Sequence, residues 1–290
     1  MGNLRFQWQV VLFILPALAL YAVFFIVPFG KTLFYSFHQW NGFGQATFVG
    51  LSNYIRLAGD ELFQAGVGRI LIWAALAVML KVGFALILAN ILRNPLPGYR
   101  FFTTAFFIPV VISSAAISLL FTLLYDNDVG LLNVFLRAVG LGGWTNTWLA
   151  NADTALYALI AVPIWHTVGY FFIILLAAIQ NVPRDYYEVA RVEGASSFQV
   201  FRMVTIPSIW PTMQVCIVLA ITSAFKSFDY VFVMTRGGPG TATQVPATYM
   251  YDTIFMGLEF GYGTAIATSI FLLGLVATLV VRRLTVGYAR

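Results

Sequence analysis

Six times along its length the chain runs for about twenty residues almost without charge, and that recurrence leaves few folds open. The runs cover residues 10–29, 70–92, 101–125, 155–179, 209–234 and 262–281. As a helix rising about 1.5 Å per residue, each can cross a hydrocarbon core roughly 30 Å thick. Backbone polar groups in lipid must pair within their own segment, so the expected spans are helices. A soluble fold is excluded, because 60% of the 290 residues are hydrophobic and 17% aromatic. A domain of this size cannot hide that much apolar surface. The sequence therefore predicts an all-α membrane protein, a single domain over 1–290 with six transmembrane helices. No small-residue cleavage site follows the first run, which reads as a retained span and not a removed signal.

The net charge of +5 does not mark a nucleic-acid binder, because the basic residues form neither a run nor a stripe. They fit the positive-inside bias instead. One set of loops and ends holds Arg5, Arg93, Arg100, Arg184, Arg191, Arg202, Arg282, Arg283 and Arg290. The opposite set holds Lys31, Arg56, Arg69, Arg137, Lys226 and Arg236, spread over longer segments. Both termini and the 180–209 connection are thus expected in the cytoplasm. The single cysteine, Cys216, allows no disulfide framework, and His38 and His166 lie too far apart in sequence to suggest a metal site. Gly30-Lys31-Thr32 echoes the end of a phosphate-binding loop, but Phe25 stands where its first glycine belongs. No catalytic constellation is present, and the chain is expected neither to bind nor to hydrolyse ATP.

Residues 186–211, YYEVARVEGASSFQVFRMVTIPSIWP, are too polar to span and too long for a simple turn. Pro183 suits a first helical position. Gly194 can take the left-handed conformation that ends a helix. Ser196 with Gln199 forms a capping-box pattern that starts a second one. Phe198, Phe201 and Val204 continue that helix, which is expected to stop before Pro207. By these signals alone the stretch could be an ordinary loop with a glycine turn.

Glu188, Ala190, Glu193-Gly194-Ala195 and the Val204-x-Ile206-Pro207 ending resemble the EAA loop of membrane subunits of ATP-binding-cassette (ABC) importers. Val189, Glu193 and Ile206 depart from the family's alanine, aspartate and leucine while keeping charge or apolar character. Ser36-Phe37, Trp40, FVGLSNYIRL from Phe48, GYRFFTTAFFIPVVIS from Gly98, GLLN from Gly130 and TRGGPGTAT from Thr235 extend the likeness to the carbohydrate branch: maltose, multiple-sugar and glycerol-phosphate permeases. The resemblance implies a type I importer permease of a bacterial or archaeal inner membrane. Its 183–207 coupling loop would dock on an ATPase through Glu188, Ala190, Glu193, Gly194, Ala195 and Pro207. Implied partners are a second homologous permease, two ATPase subunits carrying ATP and magnesium, an extracytoplasmic solute-binding protein, lipid and a sugar. A glycerol 3-phosphate permease is the alternative within the family, and an ion-coupled secondary transporter the alternative outside it.

Polar residues inside spans are costly and suspect. Lys81 is either paired against another helix or part of a pathway, and His166 reads as packed and neutral. Lys226 and Asp229, three apart, are expected to form an ion pair within one helix. Thr167 with Tyr170, and Ala220 with Ser223 and Ser227, each share a helix face. By the resemblance these five fall where sugar-contacting positions lie. Small residues at helix contacts would look the same.

Overall fold

The structure, a computed structural model, describes residues 8–93 and 97–286. Expectations for Arg5, for residues 94–96 of the second turn and for Arg290 lie outside the described residues. Among the described residues, five helices are long and apolar enough to cross a membrane, or six if one bent pair counts as a single span. The described residues fall into two compact units, 8–60 with Met250–Phe271 and Glu61–Tyr249 with 272–286.

The first unit opens with helix α1, residues 8–35, which contains a widened π turn at Ala22–Ile26 and from Leu12 to Phe34 leaves nearly all its apolar side chains exposed. Strands β1 (His38–Gln39) and β2 (Thr47–Phe48) pair antiparallel, His38 opposite Phe48, and helix α2 (Ser52–Ala58) follows. Asn53 Nδ2 ties α2 back by donating to the Ser36 and His38 carbonyls at 2.9 and 3.0 Å. Arg56 pairs with Glu259, its guanidinium 3.9 Å from the Tyr262 ring centre, and the Tyr262 hydroxyl donates to Asp60 at 2.6 Å.

In the second unit α3 (Glu61–Ile91) packs on α7 (Ala152–Gln180) and α9 (Ser197–Phe225). Ala77, Ala85 and Ala89 of α3 and Ala220 and Ala224 of α9 are buried, and small residues at such contacts let helix backbones approach closely. Phe172 and Leu175 of α7 and Ile209 of α9 fill the space between. The α7 contact with α4 (Tyr99–Val111) depends on Gly169, where any Cβ would run into the Phe106 carbonyl.

Two expected spans are not continuous helices. The third run is α4 followed by α5 (Ser114–Leu124), bent by 98°. Pro109 tightens the end of α4, Ile112 is extended, and Ser113 caps α5 by accepting from the Ala116 N–H. Such a break frees backbone groups that lipid cannot satisfy. The Ile112 carbonyl accepts from His166 Nε2 at 3.0 Å, which leaves Nδ1 to accept from the Tyr230 hydroxyl at 2.7 Å. The buried histidine is therefore a brace for the break. The fifth run also divides: α9 ends at Phe225, and α10 (Phe228–Met234) starts afresh after Lys226 and Ser227. The expected Lys226–Asp229 pair does not form, because no single helix carries both; Asp229 accepts instead from Ser114 at 2.5 Å. Helix α6 (Leu131–Ala138) lies between α5 and α7, α11 covers residues 246–256, and α12 (Phe260–Val286) closes the chain.

Replacing His166 by Leu strands the Ile112 carbonyl and the Tyr230 hydroxyl, each at about 1–3 kcal/mol for a buried unpaired group. Thermal unfolding of the purified protein should show His166→Leu clearly below the parent and Tyr230→Phe less affected. A parental transition for His166→Leu would mean that other contacts hold the break.

Candidate functional site: the 183–207 connection and the α7–α9 polar face

The connection between α7 and α9 is built from local signals. Helix α8 (Arg184–Val192) begins one residue later than expected, with Pro183 at the N-cap. Asp185 in its first turn and Arg191 in its last complement the helix dipole. At its end the Gly194 N–H bonds the Arg191 carbonyl at 3.0 Å and the Ala195 N–H bonds the Ala190 carbonyl at 2.9 Å. These are the paired bonds of a Schellman motif, which needs a left-handed residue at its centre, and Gly194 has φ +80°. Open space surrounds that position, so the backbone angle, not crowding, demands glycine. Ser196 then caps α9 in a complete capping box: its N–H donates to Gln199 Oε1 at 2.8 Å, and its Oγ accepts from the Gln199 N–H at 3.4 Å.

Pro207 does not end the second helix. A π turn over Phe201–Thr205, closed by the Ile206 N–H on the Phe201 carbonyl, comes immediately before it. The wider turn takes up the clash that a proline ring makes with a regular preceding turn, and α9 continues to Phe225. The loop is thus joined to a membrane helix without a break.

The two sides of α8 differ. Arg184, Tyr187, Glu188 and Arg191, at helical spacing, line a cleft of about 540 Å³ with Arg93 and Gln180. The Arg93 guanidinium sits 4.9 Å from the Tyr187 ring centre, and the Tyr187 hydroxyl accepts from Thr205 at 3.4 Å. Among the described residues no cation lies within ion-pair distance of Glu188. The other side exposes Tyr186, Val189 and Val192, the last 88% open, with Phe198 of α9 exposed beyond the turn. Of the residues expected to couple, Glu188 is on the cleft side of α8, Ala190, Glu193, Gly194 and Ala195 lie at its C-terminal end and turn, and Pro207 lies within α9.

The five residues singled out on α7 and α9 separate by depth. Tyr170 is 43% exposed, with Phe171 edge-on at 5.7 Å. Ser223 is exposed and Thr167 half-buried, and each hydroxyl donates to a carbonyl of its own helix. Ala220 is fully buried at a helix contact. Ser227 is buried just before α10, its Oγ without a hydrogen-bond partner. Lys81, within the π turn Ala77–Val82 of α3, is 2% exposed, donates to Ser223 Oγ at 3.3 Å and lies 5.3 Å from the Phe171 ring centre. Lys226, between α9 and α10, and Asp229 on α10 are exposed like Ser223. The Lys81–Ser223 and Ser114–Asp229 contacts escape the sequence reading, and only the cost of a charge in a span hints at them. Among the described residues no group of three or more His, Cys, Asp or Glu side chains is placed to hold a metal.

Residues 81–287 match the family of binding-protein-dependent transport system inner membrane components. A probable ABC transporter permease protein, YurN of Bacillus subtilis (strain 168), is 37% identical over 271 residues, covering 92% of each chain. The multiple sugar-binding transport system permease protein MsmF of Streptococcus mutans is 30% identical over 272 residues, covering 93% of each. Among solved structures, a chain of a bacterial alginate ABC transporter, in complex with a periplasmic protein bound to an alginate pentasaccharide, superposes with a TM-score of 0.85 at 21% identity. It covers 99% of this chain and 97% of that one, a likeness of fold.

Proposed function

The chain belongs to the binding-protein-dependent transport system inner membrane components, and from that membership we propose that it is the permease subunit of a sugar importer, probed below at its coupling turn and its pathway. It is a multi-pass membrane protein of an ABC transporter. The carbohydrate assignment draws on the relative named for multiple sugars, and a di- or oligosaccharide is the proposed solute. The solute is handed over by an extracytoplasmic binding protein and passes between this chain and a second permease. Hydrolysis of ATP belongs to partner subunits.

One observation carries the reading: α8 is held to α9 by the Gly194 turn and the Ser196 cap, with apolar side chains and Glu188 left open. A rigid two-helix projection that continues into a membrane helix suits a part that transmits displacement. Tyr186, Val189, Val192 and Phe198 would enter a groove of an ATPase subunit, and Glu188 would meet a basic group there. Closure of the ATPase pair would then favour one of two arrangements of the spans. The proposed solute contacts are Tyr170 and Ser223, which are exposed, Thr167, which is half-buried, and Ala220 and Ser227, which are buried.

Orientation is tested by single cysteines in a Cys216→Ala background. Asp128→Cys should react with an impermeant thiol reagent outside intact cells and Gln199→Cys should not; the reverse pattern ends the docking role. Coupling is tested by Gly194→Val, which forces a β-branched residue into φ +80° at about 1–3 kcal/mol. The variant should reach the membrane yet lose transport and solute-stimulated ATPase activity, and normal uptake would refute the role of the turn. Tyr170→Ala removes an aromatic surface and a hydroxyl worth together about 2–4 kcal/mol. Uptake should fall with assembly unchanged, whereas full uptake by this variant combined with loss in Lys81→Met would move the pathway to α3.

A further inference from the structure

Helix α6 is amphipathic in the opposite sense to a helix facing water. At about 100° per residue, Leu131, Val134, Phe135 and Ala138 share one side, and Val139 continues it. These are the outward positions: Leu131 is 70%, Val134 46% and Phe135 60% exposed. The polar Asn133 points inward and is buried. A helix packed on a protein and facing water shows the reverse pattern.

Asn133 makes that orientation obligatory. Its Nδ2 donates to the carbonyls of Asn127 at 3.3 Å and Asn146 at 3.0 Å. Its Oδ1 accepts from the Asn146 N–H at 3.3 Å and from Trp148 Nε1 at 2.9 Å. Both amide hydrogens and both acceptor positions are in use, so α6 cannot roll its apolar side inward without stranding a buried amide. Beyond the helix, Leu141 and Trp144 are also exposed.

Chain path places this side at a membrane boundary. Helix α5 ends at Leu124 and α7 begins at Ala152, so the segment between them starts and finishes at one face of the bilayer. At that end α5 exposes Leu119, Leu120 and Leu123, so both α5 and α6 carry apolar side chains turned away from the protein. Asp126, Asp128 and Arg137 supply charge on the rest of the segment, and Trp144 is the residue type enriched at lipid–water boundaries.

We propose that α6 is an interfacial helix, its Leu131–Val134–Phe135 side seated in the lipid headgroup–acyl boundary, where it anchors the outer end of the broken α4–α5 span. The occupant is lipid, and neither the binding protein nor a second permease covers this side. The assignment needs only that the α4–α5 pair and α7 each cross the bilayer, so it stands apart from the choice of solute.

The test uses the full chain in bilayers of phosphatidylcholine and phosphatidylglycerol in equal parts. Val134→Cys, Phe135→Cys and Arg137→Cys, each in a Cys216→Ala background, carry an environment-sensitive fluorophore. The two quenchers are aqueous iodide and a phosphatidylcholine with a nitroxide near its headgroup. An apolar face set some 5–10 Å into the boundary should give at least about twofold stronger lipid quenching at 134 and 135 than at 137, with iodide ranking them in reverse. Equal iodide quenching at all three positions would place the helix in water. Protection of 134 and 135 from both quenchers would mean that protein covers them. Either result overturns the proposal, and because 134 and 135 are independent surface positions, a folding defect in one leaves the other to decide.

Discussion

Within a bilayer every backbone N–H and carbonyl must find its partner in the protein, and the second unit is arranged around the one place where a span departs from regular helix. Between Val111 and Ser114 the chain turns through 98°, and the freed Ile112 carbonyl is met by His166 from α7. Tyr230 of α10 fixes the other ring nitrogen. Three separate segments therefore converge on one imidazole. Asp229, next to Tyr230, reaches Ser114 just past the break, so α10 is bound directly to the start of α5 and through His166 to the bend. The division of the fifth run after Phe225 lets α10 take this position.

The connection between α7 and α9 is organised differently. Its geometry comes from its own backbone, through the Schellman bonds at Gly194 and the reciprocal cap at Ser196, and owes little to burial. That independence explains how α8 can leave Tyr186, Val189 and Val192 uncovered and still hold its shape. Apolar side chains on a self-supporting projection are available to a partner at small ordering cost, which suits a contact that must carry force.

Features written in neighbouring residues were legible in the sequence. The apolar runs gave the helices, and Gly194, Ser196 and Gln199 gave the turn and cap, because caps depend on residues within reach along the chain. Features that depend on distant partners were not. Pro109 and Ser113 mark the break, but the apolar run reads through them, and nothing local announces that His166 will satisfy the bend. Lys226 and Asp229 look like a helical pair only while one helix is assumed to contain both. Pro207 reads as a terminator because a π turn leaves no distinct pattern in sequence. The depth of Ala220 and Ser227 was hidden for a related reason: face assignments by spacing assume an unbroken regular helix.

The π turn at Phe201–Thr205 has a geometric consequence. A turn that holds one extra residue sets everything after it back by about 100° relative to an unbroken α-helix. The bearing of Ser223 around the α9 axis, measured from the Gly194 turn, therefore depends on that single added residue. Gain of one residue between Ile206 and Thr222 would carry Ser223 to the bearing now held by Ala224, bringing a hydroxyl into the helix contact. Between the projection and Ser223, chain length acts as an angular setting, and α9 beyond the π turn does not tolerate the insertions that surface loops absorb.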